Sequence, residues 1–349
     1  MPLEDDHLTR LAPGPLNRIT DVDGIRVGNA EDARIRTGTT VILPDRPAVA
    51  AVDVRGGAPG TRETEVLNPS NLVEAIHGLV LSGGSAFGLD AASGVSSWLA
   101  ARGRGFAVGP ALVPIVPAAI LFDLLNGGDK GWGAVTPYRA LGIAACEAAG
   151  PDFALGKAGA GWGAKAGPLE GGLGSASILA PEGLQVGALA AVNAFGSTVM
   201  PGQDCFWAWA LEQQGELGGQ PLPRGAIALD ADLDPPALPA GAVSTHTTLG
   251  VVATNAGLSK AEALRVAIMA QDGFARAIRP VHTPFDGDIV FALATGTWAM
   301  PAERAATLLR IGALAADCLA RAVARGVYEA VSLGVLPCYR DRHGPAKPG

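Results

Sequence analysis

The chain has 349 residues, with 26 Lys and Arg against 33 Asp and Glu, a formal net charge of −7 and 17% charged residues. An acidic balance excludes the basic footprint of a nucleic-acid binder. Charge below the roughly 25% of an average soluble protein, with a mean hydropathy of +0.28, points to a large buried core and to surface hidden in a homo-oligomer.

The length suits one large α/β domain or two ordinary ones. The opening residues, MPLEDDHLTRLAPG, are acidic and hold no apolar stretch, so no secretory signal is expected and the protein is expected in the cytoplasm. Strands are predicted at residues 40–43 and 48–54, the second running into Arg55-Gly56-Gly57. A small-residue helix is predicted from about residue 85 to 101, after the stretch SGGSAFG. Residues 105–122 carry no charge, but Pro110, Pro114 and Pro117 would break a membrane-spanning helix. That segment reads as buried strand and turn, with no membrane contact. A second helix is predicted at 138–149, and strands return between residues 171 and 195.

Residues 214–243 form a Pro/Gly-rich connector without periodicity. Loops that long inside a compact domain are usually functional or disordered. The connector leads into Ser244-Thr245-His246-Thr247-Thr248 and then the apolar run 249–253, a buried strand. Ser259 and Glu262 fit a capping box, and Leu264, Ile268 and Phe274 give the following helix an apolar face. Residues 288–296 read as another buried strand. A last helix is predicted from near Pro301 to about Arg325, with Gly326 as its stop.

Few residues carry chemistry. Cys146, Cys205, Cys318 and Cys338 show no metal-ligand spacing and read as buried thiols. His282 lies in HTPFDGD, ahead of Asp286 and Asp288. Turn chemistry explains that Asp-Gly better than a metal loop does, because no second histidine pairs with His282 at helical spacing. Two aspartates flanking one glycine before a buried strand can, however, point into one site. The glycine-rich stretches 82–88 and 156–167 lack the Gly-Lys-Ser/Thr of a phosphate loop and the acidic residue of a dinucleotide fold. Close packing accounts for their glycines, and no metal or organic cofactor is expected.

No serine–histidine triad or G-x-S-x-G elbow offers an activated hydroxyl. A threonine freed by cleavage of the chain needs neither, because its own α-amine serves as the base. That amine has a pKa of about 7.7–8.0, so a useful fraction is neutral at physiological pH. A long connector ending at a threonine on a buried strand suits such a cut, and Thr247 or Thr248 could be the new terminus.

Six blocks, ITDVDGIRVGNAED, RTGTTVIL, LSGGSAFGLDAASGV, VPIVPAAILFDL, HTTLGVVATN and RPVHTPFDGDIVFALATG, resemble the P1 (DmpA-like, S58) peptidase family. That family includes L-aminopeptidase/D-amidases, β-peptidyl aminopeptidases and 6-aminohexanoate-oligomer (nylon oligomer) hydrolases. The similarity runs from about Ile19 to Pro337. It implies a single α/β domain over 1–349, an αββα sandwich of DmpA/ornithine-acetyltransferase type with an N-terminal nucleophile. It further implies self-cleavage into an α chain, 1–246, and a β chain, 247–349, with 214–246 as a flexible connector, and assembly as a homotetramer of αβ units.

Residue by residue, the resemblance puts the nucleophile on Thr247 and the cut after His246, where the family commonly has Asn or Gly. Asn193 would face the oxyanion. Asp286 and Asp288 would orient the amine and threonine or hold a substrate ammonium. The family lysine is replaced by Pro168, with Lys165 three residues earlier as the candidate substitute. Ser85, Phe87 and Trp162 are possible pocket walls. The substrate would be a small amide, a peptide or an aliphatic ω-amino oligoamide, leaning toward the nylon-oligomer type. The other function compatible with such a threonine is acyl transfer of the ornithine-acetyltransferase kind.

Overall fold

A computed structural model describes residues 10–228, 230–231 and 246–344; residues 229 and 232–245 of the expected connector lie outside the described residues. In chain order the strands begin β1 (Ile25–Asp32), β2 (Thr37–Pro44), β3 (Ala48–Val54), β4 (Thr61–Arg62), β5 (Ala75–Ile76) and β6 (Leu79–Ser82). Helix α1 (Ala91–Ala100) follows, then β7 (Phe106–Val108), β8 (Ala111–Val113), β9 (Ala118–Ile120) and α2 (Tyr138–Glu147). Next come β10 (Lys165–Ala166), β11 (Leu169–Glu170), β12 (Gly172–Leu179) and β13 (Gln185–Asn193). After the connector lie β14 (Thr247–Ala256), α3 (Lys260–Ala277), β15 (Ile289–Trp298), α4 (Arg304–Tyr328) and α5 (Tyr339–His343).

Two sheets stack face to face, one in the order β1-β2-β6-β9-β4 and the other β12-β13-β14-β15-β3-β5. Successive residues of their strands enter different cores, as the two-residue period of a strand requires. Ile42, Leu81, Leu189, Val251 and Phe291 meet between the sheets. Val41, Leu43 and Val80 face outward onto Val95 and Leu99 of α1 and Leu141 of α2. Ala190, Val252 and Val290 face the opposite way, onto Val266 and Phe274 of α3 and Leu319 of α4. Each buried Val, Leu, Ile or Phe contributes about 1.5–3 kcal/mol. The layers are therefore helix, sheet, sheet, helix, the expected αββα sandwich. Burial on both faces also explains why residues 249–253 show no polar alternation.

Several elements differ in detail from the sequence reading. Residues Ser85–Asp90 form a 3₁₀ turn before α1 rather than the start of one long helix. Residues 105–122 are only partly buried: β7 and β8 pair as a hairpin whose Phe106, Val108, Leu112 and Val113 are exposed, while β9 is buried. The buried face of α3 is carried by Ala263, Val266, Ala267, Ala270 and Phe274, with Leu264 and Ile268 at its margin. The Ser259–Glu262 capping box is present. Gly326 does not stop the last helix, which runs on to Tyr328. There α4 crosses β12 so closely that a Cβ on Gly174 would lie 2.3 Å from the Gly326 nitrogen.

All four cysteines are free and buried. Among the described residues no helix is long and apolar enough to cross a membrane. What positions the site is β14. It runs antiparallel to β13, with Thr247 opposite Asn193, and parallel to β15, with Leu249 opposite Ile289. Its first residues are thereby held between the end of β13 and the turn that precedes β15.

Candidate active site

Thr247 opens β14 and is 4% exposed. Its hydroxyl donates to the His246 carbonyl oxygen at 2.5 Å. The Gly287 N–H donates to the same oxygen at 3.0 Å, across a parallel bridge that pairs His246 with Asp286. A carbonyl that accepts a rigid backbone N–H already has the donor a developing oxyanion needs. Only glycine fits at 287, where a Cβ would lie 2.6 Å from the Thr247 hydroxyl oxygen and 2.8 Å from the Ala58 carbonyl. The Asp-Gly-Asp spacing thus combines two acids with one close backbone approach.

Both aspartates are buried, at 2% and 1% exposure. Asp288 accepts the Thr248 N–H on Oδ1 at 2.8 Å. Its Oδ2 takes the His282 N–H at 3.0 Å and contacts the His282 ring Nδ1 at 3.0 Å. Asp286 accepts the Phe195 N–H on Oδ1 at 3.2 Å. Its Oδ2 accepts the Thr283 hydroxyl at 2.6 Å and the Thr283 N–H at 3.1 Å. Burial, and then the charge of Asp288, raise the Asp286 carboxyl to about 6. Through the Thr248 N–H the pair ties two segments, residues 282–283 and residue 195, to the start of β14.

On the other side, Asn193 ends β13 opposite Thr247. Its Nδ2 donates to the Phe122 carbonyl at 3.1 Å, and its Oδ1 accepts the Lys165 N–H at 3.1 Å. Lys165 is thus fastened to Asn193 by its backbone. Burial lowers its ammonium from the usual lysine range. The His246 imidazole is pushed down to about 4, first by burial and then by Lys165, so it is neutral at physiological pH. Asn193, Lys165 and His246 share the wall of a cavity of ≈ 340 Å³. The rest of that wall is largely apolar, with Phe122, Leu125, Trp162, Leu333, Val335 and Leu336.

The structure therefore gathers Thr247, His246, Asn193, Lys165, Asp286 and Asp288 around one peptide bond, with Trp162 on the cavity wall. Ser85 and Phe87 are not on that wall. Phe87 is 51% exposed and packs edge-on against Trp132 at 5.7 Å, because the 3₁₀ turn carries it outward. Asp286 and Asp288 do not line the cavity either.

Sequence reading missed four features. His282 holds Asp288, Phe195 stacks on Phe285, and the Gly287 N–H reaches the His246 carbonyl. A buried Lys157–Glu170 ion pair, at 2.5 Å, also stands in the cavity wall. Glu170 accepts the Leu333 N–H at 3.1 Å and so anchors the apolar 333–336 loop. A lysine and a glutamate 13 positions apart leave no spacing signal that could have announced the pair. Among the described residues no group of three or more His, Cys, Asp or Glu side chains is placed to hold a metal ion.

The model of peptidase family S58 matches residues 17–336. The chain belongs to that family. An S58 member is a hydrolase of peptide or amide bonds, which is what an activated hydroxyl beside a polarised amide can perform. The chain is 47% identical over 345 residues to an uncharacterised aminopeptidase of Mycobacterium tuberculosis, covering 93% of this chain and 98% of the relative. It is 32% identical over 288 residues to the 6-aminohexanoate-oligomer endohydrolase of Kocuria sp. strain KY2, covering 80% and 76%. Among solved structures it superposes on the L-aminopeptidase D-Ala-esterase/amidase of Ochrobactrum anthropi, described as a variant of the Ntn hydrolase fold. That match has a TM-score of 0.67 at 22% identity, over 93% of this chain and 90% of the other. A Burkholderia sp. β-aminopeptidase matches with a TM-score of 0.63 at 24% identity, over 91% and 88%. These two structures share the fold.

Proposed function

We propose that the protein cleaves itself between His246 and Thr247, and that the freed Thr247 then hydrolyses small peptides and amino-acid amides. One observation carries the reading: the Thr247 hydroxyl and the Gly287 N–H converge on the carbonyl of the residue that precedes Thr247. In self-cleavage the hydroxyl oxygen adds to the His246 carbonyl carbon and the bond to the Thr247 nitrogen breaks. The hydroxyl proton passes to that nitrogen, leaving an ester and a free α-amine. Water hydrolyses the ester and gives chains 1–246 and 247–349. In turnover the α-amine, with an ordinary pKa of about 7.7–8.0, takes the hydroxyl proton while the oxygen attacks the substrate carbonyl.

The Gly287 N–H and the Asn193 amide donate to the oxyanion, and one such donor is worth about 3 kcal/mol. Lys165 lies beside them as the cation of the site, in the role left vacant by Pro168. Asp288 orients the amine end of β14 through the Thr248 N–H, and Asp286 supports it. Their oxygens already accept protein donors, which favours this orienting role over capture of a substrate ammonium. The apolar walls contributed by Leu125, Val335 and Leu336 also suit a methylene chain, so hydrolysis of aliphatic ω-amino oligoamides is the second reading. The exposed Phe106, Val108, Leu112 and Val113 hairpin supports assembly into the expected tetramer of αβ units.

Denaturing mass analysis of purified protein tests the core of the reading. Two chains of the stated lengths are expected, and Thr247→Ala should leave one full-length, folded and inactive chain. A single full-length species after long incubation at neutral pH would overturn self-cleavage. Cleavage that survives in Thr247→Ala would move the nucleophile to Thr248. Transfer of acetyl from N-acetylornithine to glutamate, faster than plain hydrolysis, would make the protein an acyltransferase.

A further inference from the structure

The side chain of His246 is almost entirely buried, although its residue is the one the proposed cleavage would detach. Its ring meets the Phe195 ring edge to face, with centroids 5.3 Å apart and planes at 88°. Phe195 in turn stacks on Phe285 at 5.5 Å. Its position is fixed by the Phe195 N–H donated to Asp286. The other side of His246 borders the cavity. His246 therefore fills a slot between a ring wall and the cavity, directly behind the scissile carbonyl.

Resting on the self-cleavage reading above, two esters form on the same oxygen. The first joins the His246 acyl group to the Thr247 hydroxyl oxygen, with the proton moved to the Thr247 nitrogen. The second forms in turnover, when a substrate acyl group joins that oxygen, its amide C–N bond breaks and the departing amine takes the proton. In each ester water attacks a carbonyl carbon that occupies the same point of the site, the His246 carbon in the first and the substrate's in the second. The donors around that carbon belong to the rigid ends of β13 and β15, so a substrate's acyl residue has to take the place His246 held. We infer that the slot vacated by His246 is the acyl-residue pocket, and that the enzyme prefers amides whose acyl residue carries a neutral planar ring.

Edge-to-face packing against Phe195 rewards a ring over an aliphatic group of similar size. The Lys165 ammonium, close enough to disfavour protonation of His246, penalises a cationic side chain in the same place. The slot thus selects for shape on one side and against positive charge on the other.

The test is a panel of amino-acid p-nitroanilides with free amines, carrying Phe, Tyr, His, Leu, Ala and Lys, assayed on the self-cleaved enzyme. The ring-bearing members are expected to exceed Ala and Lys in kcat/KM by about tenfold. Phe195→Ala should collapse that ratio, and Phe195→Leu, which keeps bulk without a ring, guards against simple misfolding. Leu turned over as well as Phe, or a ratio unchanged in both Phe195 variants, would overturn the pocket assignment alone. Turnover that persists in Thr247→Ala, or none with any member, would sink the nucleophile reading with it.

Discussion

On the β15 side of the 246–247 peptide, every carboxylate oxygen of Asp286 and Asp288 accepts a hydrogen bond from the protein. On the β13 side, Asn193 and Lys165 stand on the wall of an open cavity. Both sides hold buried polar groups within one residue layer of the same bond. Desolvation makes an unpaired charge costly, so a carboxylate whose oxygens all accept donors is held in place rather than left available to a ligand. Under the proposed function the acid side fixes the nucleophile, and the amide and lysine side meets the substrate. In that reading Asp286 and Asp288 act on the backbone, while Asn193 and Lys165 face the substrate from a cavity wall that also holds Asp123 and the Lys157–Glu170 pair.

The sharpest way to break this division is at the glycine between the acids. Gly287→Ala would drive a Cβ to 2.6 Å from the Thr247 hydroxyl oxygen and displace the N–H that holds the scissile carbonyl. We expect self-cleavage and turnover to fall by about a hundredfold or more, the cost of losing one oxyanion donor. Circular dichroism would separate that loss from misfolding. A variant that cleaves at the parental rate would show that the acid side takes no part in polarising the carbonyl.

Asp288→Asn probes the orienting role with a smaller change. An Asn at 288 turns one oxygen into a donor that faces either the Thr248 N–H or the His282 N–H. A buried N–H is left unsatisfied either way, at about 1–3 kcal/mol of stability. We expect kcat/KM to drop by at least about tenfold, some 1.4 kcal/mol, with the loss in kcat because no substrate contact is removed. An unchanged kcat with a raised KM, measured on the cleaved enzyme, would instead place Asp288 against the substrate and reverse the comparison.

How much of this was legible in the sequence depends on the range over which each signal acts. The hydroxyl-rich junction, the capping box at Ser259 and the Asp-Gly-Asp turn are local signals; the capping box is present, and the junction and the turn lie side by side in the structure. The family resemblance adds residues that lie far apart in the chain, Asn193 and Lys165 among them. Distance hides the rest. Phe87 was expected as a possible pocket wall, yet the turn geometry after Gly84 points it to solvent. Gly326 looked like a helix stop because glycine is common there, and only the crossing of α4 over β12 reveals its packing role. Lys157 and Glu170 carry no local signal at all, and only folding brings them together in the cavity wall.

The smallest expected effect separates the two acids from each other, and its sign follows from their environment. Asp286 has a folded-state value of about 6 against an ordinary 3.8, set by burial and by Asp288. A value raised in the folded state means that the folded protein holds this proton more tightly. The resulting stability is fully present below about 3.8 and is lost as pH rises through about 6. His246 runs the other way: pushed down to about 4 from 6.5, it contributes stability above 6.5 that is lost as pH falls through about 4. Measuring one chain alone would mix the two groups. The difference in Tm between Thr247→Ala and Thr247→Ala/Asp286→Asn, taken from pH 4 to 7, cancels His246 because both uncleaved chains contain it. The chain that retains Asp286 should lose stability relative to its Asn partner between pH 4 and 6, with the difference level by pH 7. A difference that stays flat would mean that folding leaves the Asp286 value unshifted, and one that moves in favour of the carboxyl as pH rises would mean that Asp286 is stabilised as a carboxylate.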